Sequence, residues 1–140
     1  MDTLACWLRL QLTPRLGRTG LFRLVEYYGS PQAAIDAADG GWRESGLRRG
    51  LSGLLPAAND PRLAQLIEQL SVLDSWLLTY WDADYPALLK NIPDPPALLY
   101  GRGARTFGEA LAVVGSRVPS PTGRIAAESL SHEISGQGLT

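Results

Sequence analysis

The residues best suited to chemistry follow a single apolar run in the last third of the sequence. Residues 111–114 read Leu-Ala-Val-Val and lead directly into Gly115, Ser116 and Arg117. Glycine allows a sharp turn after a strand, serine offers a hydroxyl, and arginine offers a planar, permanently charged fork that suits phosphate. The turn is therefore predicted to bind an anion, either a phosphate or a carboxylate. The alternative is that Arg117 only makes a structural ion pair.

A predicted helix follows this turn and adds to its attraction for anions. Ser120 reads as the N-cap, Pro121 as the first helical residue, and Gly123 as a position that allows close packing, in a helix that extends to Gly136. The end of a strand, a glycine turn and a helix N-terminus together form the place where open α/β sheets bind ligands. The spacing is not that of a dinucleotide fingerprint, because Arg117 occupies the position of the second glycine.

Other reactive residue types predict no catalytic or metal site. The sequence has one cysteine, Cys6, and one histidine, His132, so it contains neither an intramolecular disulfide nor a Cys/His metal set. Asp82 and Asp84 are interpreted as helix caps, and Glu128 with His132 as a solvated pair on one helix. We therefore expect no catalytic residue, no metal and no cofactor.

Composition restricts the class of protein. The chain has 140 residues, of which 45% are hydrophobic and 19% charged, as in ordinary soluble globular proteins. A formal net charge of -1 argues against a uniformly basic surface for nucleic acid, but it leaves room for a local basic patch. No stretch approaches the roughly 20 apolar residues of a membrane helix, and the N-terminus lacks a secretory signal. These features predict a cytoplasmic protein without a membrane partner.

Two segments with different patterns must position these residues. Residues 1–73 contain four clear helix starts and stops, and predict an all-helical bundle of four or five short helices. The hairpin at residues 14–20 resembles a helix-hairpin-helix element, although Gly17 and Gly20 can equally make a tight turn between packed helices. Residues 74–140 predict strands at 76–81, 97–100 and 111–114, with a short helix at 85–89. The predicted fold class is α+β to α/β, with a helical domain followed by the beginning of a Rossmann-like domain.

Three motifs of the second segment resemble one known family. Residues 85–89, 92–103 and 111–123 are similar, in order and spacing, to motifs of the DNA-processing protein A family, DprA or Smf. The resemblance implies that residues 1–73 form a domain of the sterile-alpha-motif type and that residues 74–140 begin an extended Rossmann-like DNA-binding domain. It further implies a protein without catalytic activity that binds and protects single-stranded DNA during natural transformation and helps to load the RecA recombinase.

The resemblance also implies a role for the Gly-Ser-Arg turn. Gly115, Ser116 and Arg117 would contribute to a basic pocket that holds the DNA backbone, with Ser120 and Gly123 shaping the loop. The family continues with a Ser-Gly-Leu-Ala segment, further basic residues and a region for homodimerisation and RecA binding, none of which is present here. We therefore interpret the chain as an N-terminal portion of such a protein. We expect marginal stability for residues 104–140, because the predicted strand lacks neighbours.

Two other classes of function remain open from the sequence. One is a nucleotide-binding enzyme, such as a phosphoribohydrolase of the lysine-decarboxylase-like group, whose sheet begins in a similar way. The other is a protein-interaction module in residues 1–73, where Arg15, Arg18 and Arg23 could face an acidic protein as well as DNA.

Overall fold

The computed structural model describes residues 2–105 and 110–138. The chain divides into two compact units, Met1–Gly103 and Ala104–Thr140. Within the described residues the fold is mixed α+β, with six α-helices and one two-stranded antiparallel sheet. The predicted class of helices and strands is thus confirmed in its coarse form, whereas the sterile-alpha-motif and Rossmann-like details stay predictions.

Helices dominate the first unit, and two of those described begin at side-chain caps that the sequence predicts. Ser30 Oγ accepts a hydrogen bond from the Ala33 backbone N–H at 3.1 Å, and the Asp60 carboxylate accepts one from the Arg62 N–H at 2.9 Å. A proline follows each cap as the first helical residue, where its missing N–H costs nothing. The helices of this unit are α1 (Thr3–Gln11), α2 (Gly17–Tyr28), α3 (Pro31–Asp36), α4 (Pro61–Val72) and α5 (Ala87–Lys90).

The sheet of the first unit consists of β1 (Ser75–Thr79) and β2 (Leu98–Arg102), which pair antiparallel with Leu77 opposite Tyr100. Both strands lie where the sequence predicts strands. Glycine is required at position 101, because a Cβ atom there would come within 2.0 Å of the Trp76 ring. The Trp76 indole N–H donates to the Gly103 carbonyl at 2.9 Å and fixes the ring over the strand.

The first unit has two hydrophobic clusters, of which the smaller, formed by Leu8, Leu63 and Leu70, contacts Leu77 of β1. The larger cluster contains Trp42. Trp42 is 2% exposed, and its indole N–H donates to the Ala34 carbonyl at 2.7 Å. Ala97, which precedes β2, is buried in the same cluster, which also contains Cys6, Leu10, Leu16, Leu21, Leu24, Ala34, Ile35, Trp42 and Leu51. The compact unit therefore extends to Gly103, beyond the helical segment. The division of the chain into domains at residues 1–73 and 74–140 stays a prediction.

The second unit contains α6 (Pro121–Gly136), which begins at the predicted cap Ser120. The strand predicted at residues 111–114 does not form, because these residues have no regular secondary structure. A strand needs a neighbour for its backbone N–H and C=O groups, and no described residue of this unit supplies one. Val114 is accordingly 88% exposed. The beginning of a further strand, predicted at residues 139–140, lies outside the described residues.

Candidate nucleic-acid interface

The Gly-Ser-Arg turn is held by one serine. The Ser116 hydroxyl accepts a hydrogen bond from the Val118 N–H at 3.2 Å and donates one to the Val118 carbonyl at 3.1 Å. These bonds close a local turn around Arg117 and use part of the hydrogen-bonding capacity of the hydroxyl. Gly115 has open space around its Cα and a φ outside the left-handed region, so local geometry does not require glycine there. Ser116 therefore shapes the turn.

Arg117 is exposed at the centre of this turn. It makes no hydrogen bond or ion pair with another residue in the described parts of the chain, so the alternative of a structural ion pair finds no partner there. An uncommitted guanidinium keeps all five of its N–H donors available to a ligand. The structure thus leaves Arg117 free for the predicted contact with an anion.

The first turn of α6 lies three residues beyond Arg117. Ser120 Oγ accepts a hydrogen bond from the Gly123 N–H at 3.1 Å. A Cβ atom at Gly123 would lie 3.2 Å from that oxygen, so glycine lets the cap close without a clash. The remaining free N–H groups and the helix dipole favour negative charge at this end. An arginine and a helix N-terminus therefore lie within one short segment, and together they can hold a phosphate at the protein surface.

Two arginines of the first unit that were considered for contacts with partners are instead used within the fold. Arg18 forms an ion pair with Asp94, donates to the Pro95 carbonyl at 3.3 Å, and lies 5.1 Å from the centre of the Phe22 ring. Arg23 donates to the Gly46 carbonyl at 3.1 Å. These bonds connect α2 to loops of the same unit. Of the three arginines proposed from the sequence as an interaction surface, Arg15 alone has no such bond.

A basic cavity forms where Arg15 meets the loop between α3 and α4. Arg15, Arg48 and Arg49 line a cavity of about 380 Å³, together with Gly50, Leu51 and Leu54. None of these three arginine side chains forms an ion pair or hydrogen bond with a described residue, and no acidic residue lines the cavity. The sequence pattern does not predict this cluster. Its one local signal was the Arg48-Arg49 pair, because Arg15 lies far away along the chain.

The other chemically suggestive residues have structural positions. The Asp82 carboxylate accepts a hydrogen bond from the Thr79 N–H at 2.6 Å, so it closes the turn after β1, and α5 has no side-chain cap. Its interpretation as a helix cap was therefore wrong. The predicted pair of Glu128 with His132 does not form an ion pair among the described residues. Burial raises the pKa of the Cys6 thiol, which donates to Gln32 Oε1 at 3.0 Å.

The described residues contain neither a group of side chains that could hold a metal ion nor a helix that could cross a membrane. No group of three or more His, Cys, Asp or Glu side chains in residues 2–105 and 110–138 could hold a metal ion. No helix in the same ranges is both long and apolar enough to cross a membrane.

Arginine side chains without a partner among the described residues lie at a helix start and around a cavity, where they are available to an anion. Residues 76–140 match the sequence model of a family described as DNA recombination-mediator protein A. A stretch of 57 residues is 39% identical to the DNA processing protein DprA of Bacillus subtilis (strain 168), and it covers 39% of this chain and 19% of that relative. No solved structure gives a significant match. The resemblance to the DNA-processing protein A family is thereby confirmed over a segment that includes the Gly-Ser-Arg turn.

Proposed function

We propose that this protein binds single-stranded DNA through the turn at Gly115, Ser116 and Arg117 and the N-terminus of α6. The observation that carries the proposal is the free Arg117 guanidinium beside a helix start, inside the segment that matches the family. Single strands are held mainly through their phosphates, by positive side chains that follow the backbone. Ser120 and Gly123 act on the same site indirectly, because they set where the helix begins.

The wider role follows from the family. The protein acts in DNA processing for recombination and natural transformation, protects the bound strand, and helps RecA to load onto it, in the cytoplasm. Its contribution is binding rather than catalysis, and it needs no cofactor. RecA and a second copy of the protein are the expected protein partners. Each of these roles requires contact with the DNA backbone, so DNA binding is the property to test first.

The experiment is a fluorescence-anisotropy titration of a labelled oligothymidylate with the full chain, repeated at several salt concentrations. Binding weakens as salt rises, because each phosphate contact releases counterions. Arg117→Ala removes one such contact and lowers the slope of log K against log salt by about 0.7 for a single strand. Arg43→Ala is the matched control, since Arg43 is also exposed and belongs to the other compact unit.

Two results would contradict the proposal. The first is a wild-type chain that does not bind the oligonucleotide even at low salt. The second is an Arg117→Ala slope equal to that of the wild type and of Arg43→Ala, which would remove Arg117 from the site. Hydrolysis of nucleoside monophosphates by the wild-type chain would favour the nucleotide-binding enzyme instead.

A further inference from the structure

We infer that the cavity lined by Arg15, Arg48 and Arg49 is a second site for DNA phosphates, in the helical part of the first unit. Its cluster of three arginines is separate in sequence from the Gly-Ser-Arg turn and lies in the other compact unit. The inference rests on the proposed function for the identity of the polyanion. The presence of an anion site rests on the cavity alone.

The residues that line the cavity carry positive charge without a compensating negative charge. Three arginines line one cavity, and no acidic residue lines it to offset their repulsion. Other arginines of this unit show what a structural role looks like here, since Arg9 donates to the Pro56 carbonyl at 2.5 Å and Arg23 to the Gly46 carbonyl at 3.1 Å. Arg15, Arg48 and Arg49 have no such bonds within the described residues. Their side-chain donors are therefore not used within the described fold and are available to an anion.

The backbone at Arg15 is the second argument. Arg15 has φ 65°, in the left-handed region that residues other than glycine, asparagine and aspartate rarely adopt. Glycine would make this turn with less strain. An arginine at this position therefore contributes nothing to the turn itself, and its value lies in where it puts a positive charge. Gly50, with φ 81°, follows Arg48 and Arg49 directly and also lines the cavity.

Size and lining identify the kind of anion. A cavity of about 380 Å³ falls in the range of about 300–1,000 Å³ typical of small-ligand sites, which exceeds the needs of a single inorganic ion. Leu51, 8% exposed, and Leu54 give it an apolar part beside the charges. A phosphate with its attached sugar presents both an anionic and an apolar surface, and arginine forks bind phosphate oxygens in pairs. We assign the cavity to a nucleic-acid strand because the proposed function supplies a chain of phosphates, and competition with an acidic peptide tests this choice.

The test uses the full chain and the oligothymidylate titration at several salt concentrations. The double variant Arg48→Ala/Arg49→Ala is expected to lower the salt slope by up to about 1.4, or about 0.7 for each lost phosphate contact. Arg15→Gly removes the third charge and also relieves the left-handed backbone, so the loss of binding cannot be attributed to a damaged turn. Arg43→Ala, an exposed arginine of the same loop outside the cavity, is expected to leave the slope unchanged.

A second readout locates the ligand directly. Titration of thymidine 5′-monophosphate into ¹⁵N-labelled protein is expected to shift the side-chain Nε–H signals of Arg15, Arg48 and Arg49 in a saturable way, and to leave that of Arg43 in place. A poly-glutamate peptide is the competing polyanion. Tighter binding of that peptide than of an oligonucleotide of equal charge would overturn the assignment to DNA.

The results separate this inference from the proposed function. A normal salt slope in Arg48→Ala/Arg49→Ala, together with a reduced slope in Arg117→Ala, overturns the second site and leaves the first intact. The reverse pattern overturns the role of Arg117 and supports the cavity. A chain that binds no oligonucleotide overturns both assignments to DNA, whether or not the nucleotide shifts the arginine signals.

Discussion

The two compact units have similar hydrophobic patterns but bury them to different extents. In the first unit, Leu24 of α2 is fully buried, and it belongs to a core against which Leu98 of β2 also packs. In the second unit, Leu130 of α6 is 49% exposed and Ile125 is 67% exposed, although both lie on a regular amphipathic helix. An apolar stripe therefore shows which face of a helix can pack against another element. It does not show that this element is present.

The same difference applies to the candidate sites. The cavity of Arg15, Arg48 and Arg49 adjoins a packed core through Leu51, which lines the cavity and is buried in that core. The Gly-Ser-Arg turn lies on a segment whose described residues are exposed or half-buried. A ligand that binds a preformed site avoids the entropic cost of ordering it. The first unit is thus the better organised of the two for binding.

Hydrogen exchange should give the largest difference between the units. We expect the amides of α2 to exchange only on global unfolding, about 10³-fold or more slower than in a free peptide. The amides of α6 should be protected roughly tenfold or less, because an isolated helix of this length is marginal in water. Exchange followed by NMR measures both helices in one sample.

One result would contradict this difference in protection between the two units. If the amides of α6 exchange as slowly as those of α2 and are lost in the same cooperative thermal transition, the second unit has a stability that its exposed apolar residues do not explain. The marginal stability predicted for residues 104–140 would then be wrong.

A matched pair of leucine substitutions tests how much the packing of each unit contributes to stability. Leu24→Ala leaves a cavity in a fully buried part of the core and should lower the free energy of unfolding of the first unit by about 2–5 kcal/mol. Leu130→Ala removes a side chain that is already half exposed and should change stability by about 0.5 kcal/mol or less. Urea unfolding followed by far-UV circular dichroism measures both. Equal losses in the two variants would contradict the difference in packing.

The sequence predicted the local features of this fold well. Ser30, Asp60 and Ser120, each followed by proline, mark the helix starts observed, because a cap depends on residues that are close in the chain. The strands β1 and β2 were predicted from their composition, and they pair across residues 80–97, which include α5. The prediction of a strand at residues 111–114 was wrong, because no described residue pairs with this segment. Its apolar composition is local, but a strand also depends on pairing with a neighbour.

The candidate sites divide in the same way. The residues of the Gly-Ser-Arg turn are adjacent in sequence, so their chemistry could be proposed from spacing alone. The basic cavity combines Arg15 with Arg48 and Arg49, and only the packing of the first unit brings them to one place. Nor does the sequence reveal that Arg18 pairs with Asp94, and so it could not tell which arginines remain available to a ligand.

The smallest expected effect compares two helix caps at acidic pH. Hydrogen bonds from the Arg62 side chain and then from its backbone N–H hold the pKa of Asp60 below its usual value of about 3.9. A lowered pKa in the folded state means that this cap contributes stability fully above the unfolded value, and loses it as pH falls through the folded one. Ser120 caps α6 without titrating, and the first turn of α6 contains no acidic residue.

We therefore expect acidification from about pH 5 to 2 to loosen the first turn of α4 and to leave that of α6 unchanged in the same protein. Backbone chemical shifts of Arg62 and Leu63, compared with those of Thr122 and Gly123, measure the two turns side by side. Asp60→Asn is the control, because an amide oxygen still caps the helix but does not titrate. Parallel shifts at both helices, or a transition that persists in Asp60→Asn, would show that acid acts on the chain as a whole rather than through this carboxylate.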